Sequence, residues 1–171
     1  AALIGRVLGV SPRKMRAAIR TFSGLEHRLE KVLTVAGVDF INDSKATTVD
    51  ATIKALESFD RPILLILGGR DKGADFRLLR RPVRKRAKEV ILLGEARAKI
   101  AAALRGQVPI TEVSSLGDAV RAAFAAASPQ EIVLLAPACT SFDMFKNFEA
   151  RGRAFKREVG RLAQTKRGGR T

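Results

Sequence analysis

Three uninterrupted apolar runs constrain this chain more than any other feature: Ile63-Leu64-Leu65-Ile66-Leu67, Val90-Ile91-Leu92-Leu93 and Ile132-Val133-Leu134-Leu135-Ala136. Runs this short, with no polar alternation, fit strands covered on both faces. Helical patterns separate or follow them, over 76–88, 95–104, 116–126 and about 142–163. Alternating strands and helices predict an α/β fold, with a mostly parallel sheet and helices on both faces. Ahead of the first run, Leu29–Val35 and Val38–Ile41 flank Ala36-Gly37 and read as a hairpin. A helix is expected from Val49 to Ser58, capped by Thr47 or Thr48, and Val108-Pro109-Ile110 reads as a short strand.

Residues 1–22 read as two helical pieces split at Ser11-Pro12, the serine capping and the proline opening the second. Met15, Ala18, Ile19 and Phe22 form an apolar face for which this short segment offers no partner. With no initial methionine, the chain is expected to be a piece of a longer polypeptide. Its 171 residues suffice for one cored domain, and no apolar run approaches the roughly 18 residues of a membrane span. A lone cysteine, Cys139, excludes a disulfide framework and fits a cytoplasmic protein; a lone histidine, His27, excludes multi-histidine metal sites.

The net charge is +15, concentrated in 77–88 and in the tail from Arg151 to Arg170. Nucleic-acid binding is one reading of such patches. The absence of Trp and Tyr and of zinc-finger spacing disfavours it. A solvated basic face on a protein that handles small anions is the preferred account.

Three apolar segments end in polar or glycine-bearing loops, which a parallel sheet gathers on its carboxyl edge. They are Asn42-Asp43-Ser44-Lys45-Ala46-Thr47, Gly68-Gly69-Arg70-Asp71-Lys72-Gly73 and Pro137-Ala138-Cys139-Thr140-Ser141-Phe142. Lys45, Lys72, Thr47, Thr140 and Ser141 suit carboxylates or phosphates. A lysine–carboxylate hydrogen bond contributes on the order of 1.5–3 kcal/mol. Each loop also has a plain structural reading. The glycines serve tight turns, Ser141 caps the last helix, Asp71 and Asp75 pair with Arg70 and Lys72, and Cys139 is a small buried residue. No P-loop motif and no Gly-x-Gly-x-x-Gly fingerprint occurs, so phosphates must be held mainly by something else.

Gly24-Leu25-Glu26-His27-Arg28, Phe40 to Thr47, Leu67 to Phe76 and Pro137 to Gly152 occur in that order. Together they resemble the C-terminal part of the Mur ligase family of peptidoglycan synthesis, in its D-glutamate-adding branch. The resemblance implies that residues 1–22 end a central ATP-binding domain and that 23–165 form a Rossmann-like C-terminal domain; it does not extend to 166–171, whose basic residues and glycines read as a disordered tail. It implies an ATP-dependent ligase, with Mg2+ and the main ATP ligands outside this chain. The substrates implied are D-glutamate, ATP and UDP-N-acetylmuramoyl-L-alanine, and the partners are the absent N-terminal and central domains, with no membrane. Carried over by position, Thr47, Lys72, Ser141, Phe142 and Phe148 hold D-glutamate, Lys45 is catalytic near the transferred phosphate, and Arg28 and Asp43 contact the nucleotide. Residues 23–28 become the hinge. Glu26 stands where the family usually has proline, and Ala136 where serine is common. Another Mur-type or folylpolyglutamate-type amide ligase is the alternative.

Overall fold

The computed structural model describes residues 2–22 and 24–168. Two short helices, α1 (Ala2–Val7) and α2 (Pro12–Thr21), open the chain, and none of their residues is buried. Ser11 caps α2 by accepting from the Lys14 N–H, and Pro12 takes the first turn, where its missing N–H costs nothing.

A six-stranded sheet follows in the order β1-β2-β6-β3-β4-β5. Strands β1 (Glu30–Val35) and β2 (Val38–Asn42) form an antiparallel hairpin. Its turn, Ala36-Gly37, takes φ of 48° and 81°, the twist that a two-residue hairpin needs. Strands β3 (Ile63–Gly68), β4 (Ala87–Leu93), β5 (Ile110–Glu112) and β6 (Ile132–Leu135) are parallel. β6 also pairs in parallel with β2.

Side chains alternate across the sheet, and each side acquires its own core. Ile63, Leu65, Leu67, Val90, Leu92 and Leu134 pack toward α3 (Val49–Glu57), α4 (Arg80–Arg86) and α5 (Arg97–Leu104). Phe40, Leu64, Ile66, Ile91, Val133 and Leu135 pack toward α6 (Leu116–Ala126) and α7 (Phe148–Gly168). Burial of each such Leu or Ile contributes roughly 1.5–3 kcal/mol, which is why these runs carry no polar residue.

Two boundaries differ from the sequence expectation. The segment read as one helix over 76–88 is a 3-10 turn, Phe76–Leu79, followed by α4, and β4 already begins at Ala87. Lys88 and Glu89 read as helical because they are charged. At the sheet's amino end they reach polar partners instead, Lys88 pairing with Glu131 and Glu89 accepting from Thr111. The last helix starts at Phe148, not near 142, because Asn147 caps it by accepting from the Ala150 N–H. It runs on to Gly168, so the first residues of the expected tail are helical. The rest of that tail (169–171) and Ser23 of the expected hinge lie outside the described residues. Among the described residues, no helix is long and apolar enough to cross a membrane.

Candidate functional site

The sheet order decides where a ligand can enter. From β2, β3 and β4 the chain leaves to the α3–α4–α5 side; from β6 it leaves to α7 on the other. Because β6 lies between β2 and β3, the chain leaves the carboxyl edge to opposite sides there, the place where sheets of this kind bind ligands, and the groove found at that edge is lined by the β2 loop, the 28–29 segment and α3. Backbone hydrogen bonds tie the three loops together. The Ala138 N–H donates to Ala46 O at 3.0 Å, and Arg70 and Thr140 exchange bonds of 3.0 and 3.1 Å. Gly69 is required at this junction, since a β-carbon there would overlap Thr140 O.

Sequence reasoning missed the residue that locks the junction. Arg151, on α7, is 3% exposed. Its guanidinium donates to Ser44 Oγ and Ser44 O at 3.0 Å, and to Cys139 O and Thr140 O at 3.2 Å. Burial lowers its pKa to about 10, which leaves it charged at neutral pH. The planar fork of five donors meets carbonyls on two loops at once, which a lysine cannot match. An arginine in a basic helix reads as solvated, so only the spacing from the Asn147 cap could have pointed inward.

His27 is also interior, 2% exposed, with a positive φ of 63°. Its Nδ1 lies 2.9 Å from the amide nitrogen of Asn42, and Phe148 meets the ring edge-on at 6.1 Å. Asn42 also donates to Glu30 and accepts from the Ser44 N–H, so the end of β2 and the 26–30 segment form one buried polar network. Lys156 of α7 closes it from outside, at 2.6 Å from Glu26 and 2.8 Å from Glu30.

Arg28, Asp43 and Lys45 line one groove of about 270 Å3, together with Lys54 and Ser58 of α3 and its end. Burial raises the Asp43 carboxyl above its usual range, against the Leu29 N–H and the Arg28 charge, which lower it. Lys45 holds its ammonium 4.0 Å from the Phe148 ring centre, a cation–π contact that fixes its direction. Thr47 lies two residues along the same loop; Thr48, not Thr47, caps α3 by accepting from Ala51. Ser141 is 2% exposed, and its carbonyl accepts from the Met144 and Phe145 N–H groups, so it turns the loop and does not cap α7. Phe142 beside it is 61% exposed. Lys72 is exposed at the tip of the β3 loop. The expected pairing of Asp71 and Asp75 with Arg70 and Lys72 is not the one found. Asp71 pairs with Lys99, Asp75 with Arg77 and Arg70 with Glu95.

This donor set suits anionic oxygens. Three cations and one carboxylate in the groove do not make a divalent-cation site. Among the described residues, one cluster could supply three metal ligands, Glu26, His27 and Glu30, and the Lys156 ammonium is already held there. The residues present therefore do not fit Mg2+. Cys139 is not a nucleophile either: burial pushes its thiol up to about 12.

The profile described as "Mur ligase, glutamate ligase domain" matches residues 27–139. The UDP-N-acetylmuramoylalanine–D-glutamate ligase of Solibacter usitatus is 50% identical over 162 residues, covering 95% of this chain and 37% of the relative. That of Acidobacterium capsulatum is 52% identical over 151 residues, covering 88% and 33%. The chain thus spans about a third of the length of the curated relatives it matches. Among solved structures, the UDP-N-acetylmuramate–alanine ligase of Thermotoga maritima superposes with a TM-score of 0.69 at 16% identity, covering 95% of this chain and 36% of that one. A bifunctional folylpolyglutamate/dihydrofolate synthase of Yersinia pestis, solved with AMPPNP and a manganese ion, gives a TM-score of 0.59 at 16% identity, covering 84% and 33%. At such identities these two share the fold. The profile match and the half-identical relatives carry the assignment: the chain belongs to the Mur ligase family and is its C-terminal, glutamate ligase domain.

Proposed function

We propose that this chain is the amino-acid-binding, closing domain of an ATP-dependent ligase. That ligase joins D-glutamate to UDP-N-acetylmuramoyl-L-alanine through an acyl phosphate, in the cytoplasm. The observation that carries the reading is the carboxyl edge, where Arg28 and Lys45 line one groove and backbone hydrogen bonds join the β3 and β6 loops to the β2 loop. About half identity to D-glutamate ligases supports the choice of amino acid.

ATP supplies the activation: a carboxylate resists a nucleophile, whereas its mixed anhydride with phosphate has a good leaving group. The residues of this chain bind and orient. Lys72, Thr47 and Ser141, with Phe142 and the Phe148 segment, hold the two carboxylates of D-glutamate and aim its amine. Lys45, directed by Phe148, stabilises charge developing on the transferred phosphate. Arg28 and Asp43 meet the nucleotide from the closing side. The Lys156 bridges to Glu26 and Glu30 stiffen the hinge segment where the family's usual proline is missing.

Exposed Leu3, Ile4, Val7 and Ile19 on α1 and α2, with Leu8 in the turn between them, support the view that residues 1–22 end a preceding domain that covers them. With no P-loop motif of its own, the isolated chain is expected to be inactive. A chimera tests the function. In the Solibacter ligase, the matching third is replaced by this chain, and phosphate release is followed with each candidate amino acid. The expected result is release that depends on D-glutamate. A folded chimera that uses a different amino acid would overturn the assignment.

A further inference from the structure

The densest charge on the molecule lies away from the carboxyl edge. Seven of the twelve residues from Arg77 to Lys88 are Lys or Arg, and none is Asp or Glu. Three are neutralised: Arg77 by Asp75 at 2.8 Å, Arg86 by Asp60 at 3.1 Å and Lys88 by Glu131 at 2.9 Å. Arg80, Arg81, Arg84 and Lys85 are exposed, and among the described residues none of them forms an ion pair with a carboxylate. Their spacing puts all four on one side of α4, opposite the buried Val83.

This arrangement works against the first turn of the helix, although Arg84, Lys85 and Arg86 in the last turn suit its dipole. Arg80 and Arg81 occupy the first turn, where the backbone dipole is positive and no acidic residue offsets it. Arg80/Arg84 and Arg81/Lys85 are like charges four apart, the separation at which they repel. Arg80 has a structural use, donating to Ala103 O of α5 at 2.7 Å, but packing needs none of the other three, because Phe76, Leu79 and Val83 already supply the buried face. A partner of opposite charge would offset these repulsions.

The chemistry of the face narrows the partner. Leu78 stands 58% exposed and, with Arg81, Pro82, Lys85 and Arg86, lines a groove of about 390 Å3, whose one carboxylate, Glu57, is paired with Lys54. At an anionic bilayer, cations around an apolar side chain meet lipid phosphates while the leucine enters the headgroup–acyl boundary. Nucleic acid is a poorer match. The stretch from Arg77 to Lys88 has no aromatic side chain for stacking and no Asn, Gln, Ser or Thr for base edges. We propose that the basic face of α4, with Leu78, docks this protein reversibly on a membrane leaflet rich in anionic phospholipid.

Vesicle flotation of the whole chain tests this, at about 0.15 M salt. One set of vesicles is phosphatidylcholine alone; the other contains phosphatidylglycerol at roughly one lipid in three. Binding is expected only with the anionic vesicles. An Arg81→Gln/Lys85→Gln double variant should lower the partition coefficient about thirtyfold. Leu78→Ala should lower it severalfold. An Arg153→Gln/Arg157→Gln variant on α7 removes the same charge and should leave it nearly unchanged. All replaced side chains but Leu78 are polar and exposed, and circular dichroism checks that each variant is folded. Three results would overturn the proposal: no binding to anionic vesicles, equal loss in the α7 variant, or random duplex DNA bound in preference to the vesicles.

Discussion

Gly152 of α7 lies flat against the His27 imidazole, so close that a β-carbon at 152 would overlap the ring at Nδ1. The ring cannot retreat, because Asn42 holds its Nδ1 and Phe148 flanks it. In an open helix Gly→Ala stabilises by about 1 kcal/mol. Here overpacking against a buried ring reverses the sign, and Gly152→Ala is expected to destabilise by about 1–2 kcal/mol. Urea unfolding at neutral pH measures it, and a gain in stability would show that the ring is free to move.

Arg151 is the second test of the same junction. Truncation to Ala would leave the carbonyls of Ser44 and Cys139 without their buried donor, and Thr140 O with the Arg70 N–H alone. Each lost partner costs about 1–3 kcal/mol, so a total loss of roughly 3–5 kcal/mol is expected. Arg151→Lys should recover a minor part, because one ammonium cannot span two loops. Equal stability of Arg151→Lys and the parent protein would contradict this account.

Much of this architecture was readable in advance. Apolar runs without alternation located β3, β4 and β6, and the polar residues after β2, β3 and β6 located the edge at which Lys45, Lys72 and Ser141 stand. What could not be read is long-range. Nothing local to Ile132–Leu135 says that it inserts between β2 and β3, and that insertion brings the three loops to one edge. Arg151 looked solvated because its type usually is, and nothing beside His27 marks it as interior; their burial depends on carbonyls and an amide more than ten residues away in sequence. Lys88 and Glu89 misled for the opposite reason, charged residues at the amino end of a strand where side chains still reach polar partners.

Asp39 should govern the acid limb of stability. Burial alone would raise its carboxyl, but hydrogen bonds from Lys31, Thr34 and Arg61 outweigh that and hold it well below the usual carboxylate range. A depressed folded pKa gives stability that is present above the ordinary value near 4 and is lost as pH falls toward the folded one. Asp39→Asn is expected to cost on the order of 2 kcal/mol at neutral pH and to flatten the decline below about pH 4. Urea midpoints at neutral and acid pH check both; an unchanged acid slope would assign the effect to other carboxylates.

Cys139 should resist alkylation. It is 1% exposed, and its thiol is pushed up to about 12 from an ordinary value of 9.0. That depletes the thiolate about a thousandfold. Iodoacetamide at mildly alkaline pH is expected to label it only after denaturation. Rapid labelling of the folded chain would mean that the β6 loop opens, which the Arg151 lock forbids.

The central claim is that three separately encoded loops make one site for a small amino-dicarboxylate. Calorimetric titration of the chain with D-glutamate and L-glutamate tests it most directly, using the parent protein, Lys72→Ala and, as a control away from these loops, Arg121→Ala. The account predicts weak, saturable binding of the D-isomer, lost in Lys72→Ala and kept in Arg121→Ala. Equal uptake of both isomers, or unchanged D-glutamate binding in Lys72→Ala, would contradict it.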